Sequence, residues 1–418
     1  MSHISRLFIV SIIVALFAAP ALAADQPAVD WSKQLGQEGG AYISASPLYN
    51  NGILYVCSWD GTVYGLQTMN GAPLWKFRVG VNVYSTPVYK DSTLYVGSSN
   101  GTFYAIETLY GKEKWRFRAL SNVDSTPLLM NGIVFVGSDD NRVYALDPGT
   151  GSEIWNVSVG SGISTALEDY DNIVYAGTSD GSLVAIEPNF GKIKWSTKVG
   201  ERAYSPLAND GTIYVGTYDG YLVSVDQYQG SINWKGQAGG AISSKPVYYG
   251  GNIYIGSWDG KLYCFNASNG RVAWTYTTYG PIKAAPLIDK GKGIIYVGSG
   301  DEYLYAIDAR SGGLYWKFQA DSPVSSTPIT VNDRLYFSSY GTSASGGTVY
   351  ALTLPDTLTL ITPTPAPTVA PTPTVAPTST PVVVTYVPSA TPDPSWCPLP
   401  GLLAVMLGAF ALVTYRRR

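Results

Sequence analysis

Residues 84–118 read YSTPVYKDSTLYVGSSNGTFYAIETLYGKEKWRFR. Tyr84–Tyr89 and Thr93–Ser98 are short runs rich in β-branched and aromatic residues, and Thr102–Glu107 is a third. A fourth surrounds Trp115. Asn100-Gly101 between the second and third runs is a tight-hairpin signal, in which both central residues are expected at positive φ. Gly111, ahead of the fourth run, marks another tight turn. The stretch therefore reads as one four-stranded antiparallel unit, with strands A, B, C and D in chain order.

The unit recurs. Tryptophans fall at 31, 75, 115, 155, 195, 234, 274 and 316, at intervals of 39 to 44 residues. In phase with them run the prolines Pro47, Pro87, Pro127, Pro206, Pro246, Pro286 and Pro328, with Thr165-Ala166 filling the missing slot. The B–C strand pair recurs around Tyr55, Phe135, Tyr175, Tyr214, Tyr254, Tyr296 and Tyr336. Asp60-Gly61, Asp180-Gly181, Asp219-Gly220 and Asp259-Gly260 repeat the B–C turn, and Gly151, Gly191, Gly230 and Gly270 the turn before D. A period near 40 with four strands per unit predicts an all-β, eight-bladed β-propeller over residues 28–354. The last unit supplies only A, B and C, and a lone Trp strand, Val29–Leu35, precedes the first A strand. The N-terminal strand is therefore expected to complete the eighth blade and remove open sheet edges. The repeated Trp is expected to wedge between neighbouring blades.

The two ends read as targeting segments. Residues 1–23 have the form of a signal peptide: Arg6, an apolar run from Leu7 to Ala19, and the cleavage site Ala21-Leu22-Ala23. Residues 355–395 hold eleven Pro and eleven Thr with no Lys or Arg, the composition of an extended stalk that buries no core. Residues 396–418 contain an apolar run, Leu399–Tyr415, followed by Arg416-Arg417-Arg418. Seventeen residues span about 25 Å as a helix, and the arginines are expected to stay cytoplasmic. The chain is thus expected on the outer face of the cell membrane, anchored at its C-terminus.

Composition excludes several functions. Without residues 1–23 and the three terminal arginines the chain has 23 basic against 30 acidic residues, a net charge of −7. Nucleic acid is excluded as a partner, because no basic excess meets phosphates. The only histidine is His3, so a mature chain has no His base, triad or His metal site. Cys57, Cys264 and Cys397 are never adjacent, and the first two stand where the repeat has Gly and Ala, as buried filler.

Candidate binding residues fall into three groups. Trp59, Tyr218, Trp258 and Tyr340 lie by the B–C turns, and Tyr42 and Tyr279 in neighbouring D–A loops. Aromatics in turns are interface anchors or sugar-stacking platforms, or simply the exposed members of a Tyr-rich chain. The one loop expansion, Tyr340 to Gly347, belongs to the same face. Three residues before each Pro slot come Ser44, Tyr84, Asp124, Ile163, Ala203, Ser243, Lys283 and Ser325, expected to face the axis. Asp124 and Lys283 are the charged pair, four blades apart, either solvated in a wet channel or holding an ion or ligand between them. Asn100, Asn156 and Asn266 head Asn-x-Ser/Thr sequons and are candidate glycan sites in an exported chain.

The pattern Gly-x-x-x-Trp, Ser/Thr-Pro, Tyr-Val-Gly-Ser-x-Asp-Gly, Tyr-Ala-Ile/Leu resembles the pyrroloquinoline-quinone (PQQ)-type repeat family, over nearly all of residues 28–354. That family includes quinoprotein dehydrogenases, with PQQ and a metal ion on the axis. It also includes non-catalytic propellers such as the lipoprotein scaffold of the bacterial outer-membrane assembly machine. The dehydrogenases carry a vicinal Cys pair, acidic and amide metal ligands and long inserts, and this chain has neither the Cys pair nor room for a large lid. The resemblance therefore implies the non-catalytic branch, with no cofactor and no metal. Pro400-Gly401, the apolar run and the Arg cluster resemble the PGF-CTERM sorting tails of archaeal surface proteins, which are cleaved and lipid-anchored. Leu402 stands where that family has Phe, and a sortase-like tail or plain membrane helix fits the same residues. The expected function is a membrane-anchored, monomeric surface scaffold that binds an envelope protein or surface polysaccharide. The alternatives are a PQQ-dependent dehydrogenase and a lectin-like module in which aromatic pairs and turn Asp residues hold sugar rings.

Overall fold

The computed structural model describes residues 26–36, 42–342 and 346–361. The expected signal peptide, the tail and most of the stalk lie outside the described residues. The described residues contain thirty-two strands in eight four-stranded antiparallel sheets. Blade 1 is Leu48–Asn50, Ile53–Cys57, Thr62–Gln67 and Pro73–Arg78, and each later blade repeats this order. The eighth closes as expected: Ala28–Leu35 pairs with Gly347–Thr353, in register from Ala28↔Thr353 to Leu35↔Gly347. Arg334 Nε lies 2.8 Å from Asp30 across this seam.

The tryptophans wedge between blades, and the structure shows why Gly precedes strand D. The Trp75 ring lies against Gly111 of the next blade, where a methyl group would sit 2.5 Å from Cε3. Its indole N–H donates to the Thr108 carbonyl at 2.8 Å. Trp31, Trp115, Trp155, Trp195 and Trp234 repeat both contacts one blade further on. Trp316 meets no such turn, because blade 8 has no C–D connection. It is fully buried against Leu354, with Leu358 packed on the same cluster. Residues 355–361 are consequently laid on blade 7, where Ile361 N–H donates to the Leu314 carbonyl at 2.8 Å. The stalk expected from residue 355 begins with a docked segment.

The turn chemistry differs from expectation. At the B–C turns Gly61, Gly101, Gly181, Gly220 and Gly260 have positive φ, but the preceding Asp or Asn does not. Ser98 N–H donates to the Thr102 carbonyl and Gly101 N–H to the Ser98 carbonyl. This is a three-residue loop ending in a left-handed Gly. The two-residue turns with both φ positive are instead the A–B turns, such as Asn51-Gly52, Asn131-Gly132 and Asp171-Asn172. Strand A is also shorter than expected: Val88–Lys90 in blade 2, with Tyr84–Pro87 approaching it as irregular backbone.

Residues 28 and 361 both lie toward the face that carries the A–B and C–D turns. Ala28 pairs with Thr353, next to the blade 8 A–B turn, and Ile361 is bonded to Leu314, the first residue after the blade 7 C–D turn. The B–C turns and D–A loops form the opposite face.

Candidate axial binding site

Two residues per blade converge on the axis at the B–C face. One follows the Ser or Thr at or just past the end of strand B: Trp59, Ser99, Asp139, Ser179, Tyr218, Trp258, Gly300 and Tyr340. The other follows a buried apolar residue in the D–A loop. That buried residue is Ile43, Val83, Val123, Ile163, Ala203, Ile242, Ile282 or Val324. Its N–H donates to a carbonyl at the end of strand B of the preceding blade in blades 3 to 8, as from Val123 to Ser98 and Ile163 to Ser138, and Ile43 N–H of blade 1 donates to Tyr340 of blade 8.

This contact corrects the register in blades 4 and 5. Ile163 and Ala203 are buried and do not face the axis. Leu167, not Ala166, occupies the proline slot, since strand A starts at Glu168. In blade 5 one residue is missing between Ala203 and Pro206, so Tyr204 follows the buried position. The axial set is Ser44, Tyr84, Asp124, Ser164, Tyr204, Ser243, Lys283 and Ser325.

The two sets form one funnel with unlike halves. A recess of about 680 Å³ is lined by Trp59, Tyr84, Tyr340, Pro323, Ser44, Ser243, Ser325 and Lys283. Tyr42 stacks on Tyr340 with centroids 4.6 Å apart. Around Trp59 stand Tyr84 at 4.6 Å, Tyr340 at 5.2 Å and Tyr42 at 5.4 Å. Trp59 Nε1 donates to Ser44 Oγ and Trp258 Nε1 to Ser243 Oγ, both at 2.8 Å. The two pairs have the same 15-residue spacing in blades 1 and 6. Lys283 Nζ sits 4.6 Å above the Trp258 ring, a cation–π contact. Tyr218 meets the Trp258 edge at 6.0 Å. Tyr279 is 92% exposed and lies apart from these rings.

The other half is polar. A recess of about 550 Å³ is lined by Asn82, Tyr84, Ser99, Asn122, Asp124, Asp139, Ser164 and Arg202. Burial raises the Asp124 carboxyl above the ordinary range, against the opposing effect of Ser99 Oγ, which donates to it at 2.6 Å. Burial also raises Asp139, opposed by the Arg202 guanidinium. Arg202 Nη2 donates to Ser164 Oγ at 2.6 Å and its guanidinium lies over Tyr204. Asp124 and Lys283 thus line different recesses, which share Tyr84. Asp139 and Arg202 were not among the expected residues. The signal for Asp139 was available, since it occupies the repeat slot of Trp59.

Three of the turn carboxylates are held by their own hairpins. Asp60 accepts from Thr62 N–H and Tyr64 OH, Asp259 from Lys261 N–H and Tyr263 OH, and Asp301 from Tyr303 N–H and Tyr305 OH. They brace their own hairpins. The sequons also differ in setting. The Asn100 amide donates to the Val79 carbonyl and its oxygen accepts from Thr102 N–H, inside a turn. Asn266 accepts from Ser268. Asn156 is exposed on a D strand between Glu153 and Arg142.

A metal ion held by three carboxylate or thiolate residues does not fit these residues. Among the described residues no three of His, Cys, Asp and Glu stand close enough to hold a metal ion. Cys57 and Cys264 are free and buried in blades 1 and 6. Burial pushes both thiols up, Cys264 to about 11.

The family model described as "Outer membrane protein assembly factor BamB" matches residues 19–121, 59–276, 219–292 and 281–360. Among solved structures, BamB from Moraxella catarrhalis superposes with a TM-score of 0.65 at 20% identity, over 80% of this chain and 99% of that one. A europium-containing methanol dehydrogenase gives 0.66 at 14% identity, over 78% and 93%. The quinohemoprotein alcohol dehydrogenase from Comamonas testosteroni gives 0.65 at 16% identity, over 79% and 78%. At these identities the superpositions establish the shared fold and no more. No curated protein matches the chain.

Proposed function

The chain belongs to the outer membrane protein assembly factor BamB family, and on that premise we propose that it is an exported, membrane-anchored, non-catalytic scaffold that binds a partner protein through the aromatic mouth of its axial funnel. The observation that carries this is the cluster of Tyr42, Trp59, Tyr84 and Tyr340, four rings from three blades packed within 5.4 Å of their neighbours at the funnel wall. Large, rigid aromatics at a concave centre are where protein interfaces concentrate their binding energy.

Two observations favour protein over sugar. Trp59 is half-buried among three tyrosines, a wall and not a free stacking plate. Asp60, Asp259 and Asp301, turn aspartates that a lectin would aim at hydroxyls, are already engaged by their own tyrosines. A dehydrogenase reading has no vicinal cysteines and no cluster of three acidic or thiol ligands among the described residues to support it.

The test is capture of partners from solubilised envelope with the full chain, compared with the Trp59→Ala/Trp258→Ala double variant. One or two defined proteins retained by the wild type and lost by the variant, with the melting temperature little changed, is the expected result. Equal retention by both would remove the aromatic mouth from the interface. Retention of carbohydrate alone would favour the lectin reading.

A further inference from the structure

Resting on that reading, we propose that the 680 Å³ recess takes an acidic segment of the partner polypeptide, with a side-chain carboxylate set on Lys283 and flanking apolar groups against Trp59, Tyr84 and Pro323.

The donors and acceptors around the recess are unbalanced. Lys283 is the only charged residue in its lining. No carboxylate lies within ion-pair distance of Lys283 among the described residues, and its ammonium rests on the Trp258 ring. An ammonium carries three N–H donors and no acceptor, and a ring face satisfies none of them as well as a carboxylate does. The hydroxyls add to the imbalance. Ser44 and Ser243 accept from the indole N–H groups of Trp59 and Trp258, which leaves their own O–H hydrogens to donate. Ser325 Oγ is buried in the same lining with no partner. The recess therefore presents one cation and two hydroxyls to a ligand, with the unpartnered Ser325 hydroxyl buried beneath them, and the complementary group is an anion with more than one acceptor oxygen.

The rest of the wall selects what the carboxylate is attached to. Trp59, Tyr84, Tyr340, Pro281, Pro323 and Val324 are apolar surfaces. Gly300, the one residue without a side chain in the strand-B ring, packs against Pro281, where a methyl group would stand 2.8 Å from Cδ, and lines the recess with it. The neighbouring recess repels the same ligand, since Asp124 and Asp139 face it against a single guanidinium. The two halves together fix which way an acidic segment lies. Net charge works against random acidic binding, because the chain without its terminal segments is −7. An acidic ligand is favoured only where Lys283 offsets that field locally.

The test uses the full chain and two N-acetylated, amidated pentapeptides, Gly-Phe-Glu-Pro-Gly and its Gln counterpart, with trigalacturonate as a third probe. Binding is read by ligand-observed NMR and by competition. The Glu peptide is expected to bind at least tenfold more tightly than the Gln peptide, as a charge-assisted contact in a partly desolvated site requires. Lys283→Met is expected to remove that preference without changing the far-ultraviolet circular dichroism spectrum or the melting temperature, because Lys283 is exposed. Raising salt from 50 to 500 mM should shrink the preference. Equal binding of the two peptides, or no binding of either at millimolar concentration, overturns the proposal. Tighter binding of trigalacturonate with the same Lys283 dependence overturns it in favour of an acidic sugar. Loss of natural partner in the Trp59/Trp258 variant with no Glu preference would leave the aromatic interface standing and remove the acidic anchor. A Lys283-dependent Glu preference alongside equal partner retention by wild type and double variant would do the reverse.

Discussion

Gly111→Ala isolates what holds neighbouring blades together. Gly111 has φ +67, and a left-handed backbone costs an Ala about 1–2 kcal/mol. The new methyl group would also stand 2.5 Å from Trp75 Cε3, 2.6 Å from Cδ2 and 2.9 Å from Cγ. The ring cannot turn away freely: it is 8% exposed and its N–H is bound to the Thr108 carbonyl. Overpacking of that kind costs about 1–3 kcal/mol, for a total near 2–5 kcal/mol. Gly132→Ala is the control. Its φ is +75, but nothing lies within 4 Å of the added methyl, so only the backbone cost applies. Both variants gain the same small amount from a less flexible unfolded chain, about 0.4–1 kcal/mol, and the comparison cancels it. The assay is urea unfolding of the full chain followed by tryptophan fluorescence and circular dichroism, reporting midpoint and slope. Gly111→Ala should fall below Gly132→Ala by about 1–3 kcal/mol. In a Trp75→Ala background the gap should vanish. Equal effects of the two substitutions in the wild-type background would refute the view that Gly before strand D exists to seat the Trp of the preceding blade.

Three further outcomes are expected. Burial raises the Asp124 carboxyl, so its contribution to stability is fully present below the ordinary carboxylate range and is lost as pH rises through the raised folded value; Asp124→Asn should therefore be more stable than wild type at pH 7, with the difference gone in acid, as read by urea midpoints across pH. Cys57 and Cys264 are buried thiols held up by desolvation, so iodoacetamide at pH 8 should label neither in the native protein and both in urea, by mass spectrometry. At the seam, Asp30 accepts from Arg334 at 2.8 Å and from Thr353 Oγ1 at 2.6 Å; because the pair is partly exposed, Asp30→Ala should cost only about 0.5–1 kcal/mol in the same unfolding assay and leave the protein monodisperse by size-exclusion chromatography.

The Asn100-Gly101 turn shows how sequence and structure divide. The pair was legible as a turn, and its conformation was not, because Asn-Gly suits both a two-residue loop and a loop ending in a left-handed Gly. Register decided between them, and register is set by strand pairing across the blade. The eight blades themselves were legible because Trp, Gly and Pro each meet a steric demand that repeats with every blade, such as Trp75 on Gly111. The errors came where a marker fails. Without a proline in blade 4, and with one residue missing in blade 5, counting placed Ile163 and Ala203 on the axis, although both are buried. Composition misled at residue 355 in a similar way. The Pro/Thr content describes residues 355–395 as a whole, but Leu354 and Leu358 fill the space over Trp316 that a C–D turn fills elsewhere. The funnel is the harder case for a physical reason. A repeat is kept by packing, so its consensus reports the core. Recognition by a closed ring requires that the blades differ at the axis, because eight identical side chains there would offer a ligand no orientation. Lys283 and Asp139 are such departures, and they show when each axial slot of the repeat is read around the ring; Arg202 precedes the buried Ala203, outside both slots, and only the structure brings it to Asp139. Together they place the aromatic-plus-lysine half against the Asp–Arg half and give the cavity a direction.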